Sequence, residues 1–377
     1  MSINAEDSYI STLMSLADSP NGGVTSVLDH AHEHTDAMLR AHIDSGVRVW
    51  NAYNLVPIAK AKDGKFFLDP VGQEKVDGNG SKWSEWQRRH LGPMDECNLD
   101  SLGRQYETGK KSDTDSTSEL NVTVVTLHTL GAPFQTSGPY SNLGYQLDQW
   151  GYLNINYAVV FSHSTTNNND LEILRRTNHF FSVTPESEHH YNHGQPIIHT
   201  LLSQAALGAN TSSTFSSVIL ARMRLQLQST RLRMAREAHS SFKYVNNTTM
   251  TVKQAFLLGT CNGGIALHRP DIGVIKKGAK ADAVVFNTDN TATFSFYDPI
   301  AAVVLHSHVG SIEHVLVDEK FVKRDFKLVG LDWKKMKATF DRSAETIQTI
   351  WLEYDKDWSQ QRAYMLLVFF EARRRTL

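Results

Sequence analysis

From Val24 onward the chain alternates short β-branched runs with helical stretches, and several of the runs end in histidine. Residues 24–28 follow the turn Asn21-Gly22-Gly23, and 34–45 read as a helix closed by Gly46. Residues 47–53 form the next strand. A strongly apolar strand at 121–127 ends at His128, and after a helix at 143–151 the strand 156–161 leads to His163. A helix at 170–177, a strand at 179–183, a helix at 198–206 and a short strand near Leu207 continue the alternation. Such a pattern demands a parallel sheet covered by helices.

The remaining segments read differently. Residues 60–118 are polar and turn-rich, as in DGNGSK and TGKKSDTDSTSE, and predict a long loop. A helix is expected at 251–266. Short strands at 272–275, 283–286, 312–317 and 320–324 predict a small separate sheet, and 333–377 read as a charged helical tail. The basic amphipathic stretch 222–236 reads as a solvated helix face. A formal net charge of −2 speaks against a nucleic-acid partner. The apolar run at 365–370 is far short of the roughly 20 residues of a membrane span, and residues 1–20 lack a basic leader, so no membrane partner and a cytoplasmic location are expected. Two cysteines, Cys97 and Cys261, exclude a disulfide framework and a four-thiolate zinc site.

Seventeen histidines are the chemical signal. In a βα barrel the C-terminal strand ends form the active face, so His128 and His163 at equivalent positions favour function over structure. His30-Ala-His32 could hold one metal from alternate positions of a strand. Spacing tests this against roughly 31 residues per βα unit. His128 and His163 lie 35 positions apart, one unit; His163 and Asn210 lie 47 apart, two units because the strand 179–183 intervenes. His30 and His128 lie 98 apart, three units. If His128 ends a fifth strand, His30 ends the second, which gives His30 and His32 a pocket-rim or structural role. The cluster His189, His190 and His193 reads first as exposed loop.

The chain resembles the amidohydrolase superfamily, in particular its cytosine-deaminase, chlorohydrolase and methylthioadenosine-deaminase-like branch. GGVTSVLDHAH at 22–32 resembles the second-strand motif, VVTLH at 124–128 the fifth strand and VVFSH at 159–163 the sixth. SVTPESEHHYNHGQP at 182–196 and AALGANTSSTFSS at 205–217 resemble the seventh and eighth. The most specific match is TVKQAFLLGTCNGGIALHRPDIGVIKKGAKADAVVF at 251–286, where such chains leave the barrel for a composite β-sandwich.

The resemblance implies an α/β fold: a (β/α)8 TIM-type barrel lacking strand 1, with part of a small β-sandwich and a helical C-terminal tail. The implied division is 1–268 incomplete barrel, 269–330 sandwich portion and 331–377 tail. It implies a hydrolase of non-peptide carbon–nitrogen bonds in a small cyclic or amide substrate, acting through a water bound to one divalent metal, Zn or Fe. His128 and His163 match the two single-histidine metal ligands, and Asn210 stands at the position of the catalytic Asp. His193 and Glu188 fall in the segment that lines the substrate pocket, with His30 and His32 as further pocket residues. Three departures point towards impaired activity: no counterpart of the strand-1 HxH pair, a neutral amide at Asn210, and Gly131 where deaminases carry Glu. These departures favour the alternative of an inactive scaffold serving as a binding or oligomerisation module. The missing strand suggests an N-terminally truncated chain, and open sheet edges favour homo-oligomers.

Overall fold

The computed structural model describes residues 3–31, 34–54, 96–98, 124–128, 143–149, 153, 158–163, 168–191, 198–212 and 214–349. Among them, β1 (Ser26–Ala31), β2 (Arg48–Asn54), β3 (Glu96–Asn98), β4 (Val124–His128), β5 (Ala158–Ser162), β6 (Phe180–Val183) and β7 (Ala205–Leu207) form one sheet. The strands lie in sequence order and every neighbouring pair is parallel. From β1 to β4 there are three steps and from β4 to β5 one, as the histidine spacing predicts.

Helices cover the sheet: α1 (Ala5–Asn21), α2 (Thr35–Ser45), α3 (Leu143–Gln149), α4 (Asn168–Thr177), α5 (Pro185–His190), α6 (Ile219–Ser240), α7 (Val252–Leu258), α8 (Cys261–Ala266) and α9 (333–349). Alternation along the strands builds two cores. One face sends Val125, Val159, Phe161, Phe181 and Val183 against Leu147, Leu171, Leu174, Leu220, Met223 and Leu227 of the helices. The other packs Leu28, Trp50, Val124, Ala158, Val160, Phe180 and Ala206 with Ala266, Leu267 and Ile272 of α8 and the turn after it. Burial on both faces is what a parallel sheet requires.

The second face is concave. β1 and β4 would lie about 14 Å apart in a flat sheet. Yet His30 Nε2 on β1 sits 3.2 Å from Thr126 Oγ1 on β4. One imidazole and one hydroxyl bridge that interval only if the sheet curls.

A second sheet is antiparallel, in the order β11-β10-β9-β8: β8 (Ala283–Phe286), β9 (Ile312–Val317), β10 (Lys320–Arg324) and β11 (Lys327–Leu328). Arg48 at the start of β2 clamps it. Its Nε and Nη2 donate to the two carboxylate oxygens of Asp282 at 3.0 and 2.9 Å, and Asp282 also accepts the Asp318 N–H at 2.8 Å. A third core joins α1, α2 and α9 through Ile10, Leu13, Ala17, Ala41 and Met336, with Tyr9, Met14 and Phe340 packed against it.

Several expectations need correction. β1 begins at Ser26 and runs to Ala31, so Asp29 and His30 lie inside the strand; the Asp29–His42 contact at 2.8 Å pins that extension to α2. The helix expected at 198–206 is two 3₁₀ turns, Ile198–Thr200 and Leu202–Gln204, followed by β7. There Gln204 donates its side-chain amide to the His179 carbonyl at 2.9 Å, fixing a turn where a helix would otherwise continue. The helix expected at 251–266 is two helices, broken at Gly259 and Thr260. Residues 272–274 form bends and 275 is irregular, so no strand forms there; Gly273 has φ 68°. Within 60–118, the described residues include β3 where a loop was expected.

The basic stretch is indeed helical, but apart from the exposed Arg236 its arginines are not a solvated face. Arg222 is buried and ion-paired with Glu186 at 2.7 Å. Arg224 donates to the Val304 and Ser307 carbonyls at 3.0 and 2.7 Å, and Arg231 to the Met250 carbonyl at 3.1 Å. A guanidinium carries five donors, and the irregular backbone around those carbonyls offers acceptors that no helix or strand consumes.

Candidate functional site

Three residues singled out by their spacing lie at the C-terminal ends of β4, β5 and β7. His128 closes β4, and its backbone pairs with Ser162 of β5. His163 follows β5 at once, in the left-handed region at φ 70°. Its N–H donates to the Ser182 carbonyl at 2.8 Å, so the β5–β6 ladder runs on through the turn. Asn210 lies beyond β7, also left-handed at φ 62°, and is exposed. Asn adopts this conformation more readily than most residues. His32 and His193 lie outside the described residues.

Below this rim the concave face is polar. Thr126 Oγ1 stands 3.3 Å from Ser162 Oγ and 3.2 Å from His30 Nε2, so one chain of contacts joins β1, β4 and β5. Gly208 lets β7 approach β6. A Cβ there would meet Ser182 Oγ at 3.0 Å and Thr184 Cγ2 at 3.1 Å, and the Gly208 N–H donates to the Val183 carbonyl at 2.8 Å.

His163 is 5% exposed and Glu188 only 2%. His163 Nδ1 lies 3.0 Å from Thr184 Oγ1 and 3.5 Å from Glu188 Oε1. Glu188 Oε1 accepts the Thr184 N–H at 2.9 Å, and Ser187 Oγ donates to Thr184 Oγ1 at 2.8 Å. Glu188, expected in the segment that lines the substrate pocket, is thus held against His163. The local sequence explains the turn: Pro185 starts α5, and a carboxylate in the first helical turn reaches back to the unsatisfied N–H before it. Thr-Pro-Glu-Ser-Glu carried that capping signal, which a search for pocket residues passes over. His189 and His190 are likewise engaged locally: His189 contacts the Pro185 carbonyl, and the His190 ring packs edge-on against Tyr191 and Phe215.

His179, also buried, donates from Nε2 to the Leu153 carbonyl at 2.9 Å while its Nδ1 accepts the Val159 N–H at 3.3 Å. Burial pushes its pKa below the ordinary histidine value. It serves the fold rather than the site. Among the described residues, Glu313, His314 and Asp325 on the small sheet also bring three potential metal-ligand atoms within 4.8 Å of one another. His314 Nδ1 there already accepts the Asp325 N–H at 3.0 Å.

Comparison with known proteins places these features in context. The profile of the amidohydrolase family matches residues 156–322. A 5-methylthioadenosine/S-adenosylhomocysteine deaminase of Desulfitobacterium hafniense is 26% identical over 183 residues, 47% of this chain and 40% of that protein. A 5'-deoxyadenosine deaminase of Methanococcus vannielii is 25% identical over 192 residues, 50% of this chain and 43% of that protein. The matched segment thus spans less than half the length of either relative. Among solved structures, an adenosine deaminase from Xanthomonas campestris with bound zinc superposes with a TM-score of 0.73 at 16% identity, covering 92% of this chain and 77% of the other. An atrazine chlorohydrolase from Arthrobacter aurescens complexed with zinc gives 0.70 at 17% identity, covering 90% and 77%. At such identities the likeness shows a shared fold. No helix among the described residues is long and apolar enough to cross a membrane.

Proposed function

We propose, from the premise that the chain belongs to the amidohydrolase superfamily, that it hydrolyses a carbon–nitrogen bond of a small cyclic or amide substrate at the C-terminal ends of β4 to β7. The observation that carries this reading is the placement of His128, His163 and Asn210 at three of those strand ends, above a polar concave wall. The seven-stranded curled sheet reads as a (β/α)8 barrel with one strand unaccounted for among the described residues. Residues 1–268 form the barrel portion, 269–330 a sandwich portion and 331–377 the tail.

The donor chemistry fits a divalent ion of the zinc type. Ligating imidazoles characteristically have their second ring nitrogen held by a carboxylate or its relay, and the buried His163–Thr184–Glu188 contacts have that form. His163 and His128 would hold the ion, and Asn210 would offer a neutral oxygen donor. When bound, the ion supplies an activated water nucleophile at neutral pH. The chain does the rest. Ser162, partly exposed, offers its hydroxyl to polar substrate atoms with the buried Thr126 behind it, and the buried core beneath them excludes water from the floor. Asn210 can orient a water by hydrogen bonding but cannot take its proton, because an amide is no base at neutral pH. His30, beside Thr126, is an imidazole on the same wall that can take a proton.

The neutral Asn210 also supports the second reading, an inactive scaffold that binds small molecules or associates with copies of itself. One experiment separates the two. Metal content of the purified chain is measured by elemental analysis, and ammonia release is followed with 5'-deoxyadenosine, methylthioadenosine and guanine. The enzyme reading expects near one zinc per chain and activity that rises at least about tenfold in N210D, since a positioned base contributes about 10²–10⁴-fold. No metal and no activity in either form would leave the scaffold reading standing.

A further inference from the structure

The geometry points to Glu188 as a positioning residue that acts through Thr184 to fix the tautomer of His163. This inference rests on reading His163 as a metal ligand, but it concerns protons the chain holds without any metal. Thr184 Oγ1 is the centre of the arrangement. A threonine hydroxyl has one hydrogen to give and two lone pairs. The hydrogen goes to Glu188 Oε1, whose distance is 3.5 Å, and one lone pair receives the Ser187 hydroxyl at 2.8 Å, a hydroxyl that also reaches the Thr184 carbonyl at 3.1 Å. The remaining lone pair faces His163 Nδ1 at 3.0 Å and calls for a hydrogen there.

The carboxylate enforces the same direction by itself. Glu188 Oε1 lies 3.5 Å from Nδ1, and both groups are buried. An acceptor-only oxygen at that distance, in a low-dielectric setting, favours N–H over a lone pair on the nitrogen that faces it. With the hydrogen on Nδ1, Nε2 carries the lone pair, which is the electronic state a metal-ligating imidazole needs. The Thr184 N–H, donated to Glu188 Oε1 at 2.9 Å, holds the carboxylate in place and compensates its burial.

The test uses the full chain labelled with ¹⁵N-histidine and freed of metal. Long-range ¹H–¹⁵N correlation spectra read the tautomer of each ring, and the signal of His163 is identified by its loss in H163Q. Four proteins are compared: wild type, E188Q, T184V and T184S. Zinc affinity is measured in parallel by competition with a chromophoric chelator. The expected result is an Nδ1–H tautomer in wild type and T184S, and a mixed or Nε2–H population in E188Q and T184V. Zinc affinity should fall about 10–100-fold in the latter two, the usual cost of losing such an orienting group, with recovery in T184S. A purely packing role for Glu188 would weaken zinc binding without moving the tautomer. An Nε2–H tautomer in wild type overturns the proposal, and so does an unchanged tautomer in both E188Q and T184V. If E188Q does not fold, the wild-type spectrum and T184V decide. A wild-type chain that takes up no zinc, yet shows the Nδ1–H tautomer lost in T184V, upholds the positioning and sinks the metal reading.

Discussion

The clamp between Arg48 and Asp282 should be a major tie between the parallel sheet and the small antiparallel one. Asp282 is 2% exposed at its side chain and Arg48 18%, so the pair is largely withdrawn from solvent. Removing one partner of a buried pair costs about 3–5 kcal/mol, because the other charge stays behind without compensation. In R48M, Asp282 keeps the Asp318 N–H at 2.8 Å and the Ser26 hydroxyl at 3.5 Å. Those contacts return about 1 kcal/mol. R48M should therefore cost about 2–4 kcal/mol. D282N should cost less, about 1–2 kcal/mol, since Arg48 retains Asp318 at 3.3 Å. The double variant R48M/D282N leaves no buried charge and should be cheaper than the sum of the singles by about 2 kcal/mol. Urea unfolding followed by far-ultraviolet circular dichroism on all four proteins measures that coupling. Additive costs, within about 0.5 kcal/mol, would refute the reasoning and reduce the clamp to two independent surface residues.

Two further predictions concern stability. His179 is held neutral with a lowered pKa, so the unfolded chain takes up its proton first as pH falls. Its contribution is complete above about pH 6.5 and is lost as pH drops through that value toward the lower folded one. The urea midpoint should fall between about pH 7.5 and pH 5.5, and H179Q should flatten that slope; an equal slope in both would exclude His179 as its source. Gly22→Ala places a Cβ 2.6 Å from the Ser217 carbonyl oxygen and 2.8 Å from Val218 Cα, both backbone atoms that cannot swing aside. It should cost about 1–3 kcal/mol, and a melting temperature equal to wild type would show that the α1–α6 junction is looser than drawn.

The parallel order of the sheet was legible because short β-branched apolar runs and turn signals are local, and because the distance from His128 to His163 is close to one βα unit. The end of β1 was not. Asp29 looks like a strand terminator until its partner His42, thirteen positions on, is brought beside it by α2. Helical periodicity at 198–206 was overridden by a tertiary bond from Gln204 to the His179 carbonyl, twenty-five positions away. The arginines of α6 misled for a related reason. Amphipathic charge reads as solvent-facing, whereas the acceptors for Arg224 lie at Val304 and Ser307, about eighty positions along the chain. Glu188 was noticed for its place in a resembling motif, but its direction depended on the Thr184 N–H, a capping geometry that composition does not display. What the sequence conceals in each case is a side chain whose partner is distant or is backbone.

The third core has a consequence for how the chain comes to fold. Its apolar stripe on α1, with Ile10 and Leu13, is covered by Met336 of α9, and Ser343 hydrogen-bonds to Asp7 at 2.5 Å across 336 positions. A ribosome adds about 5–20 residues per second, so α1 leaves the exit tunnel tens of seconds before α9 exists. During that interval the first helix can find α2 but not its full cover. The apolar stripe of α1 therefore stays open on the nascent chain until α9 emerges, a natural handle for a chaperone that the docking of α9 takes away.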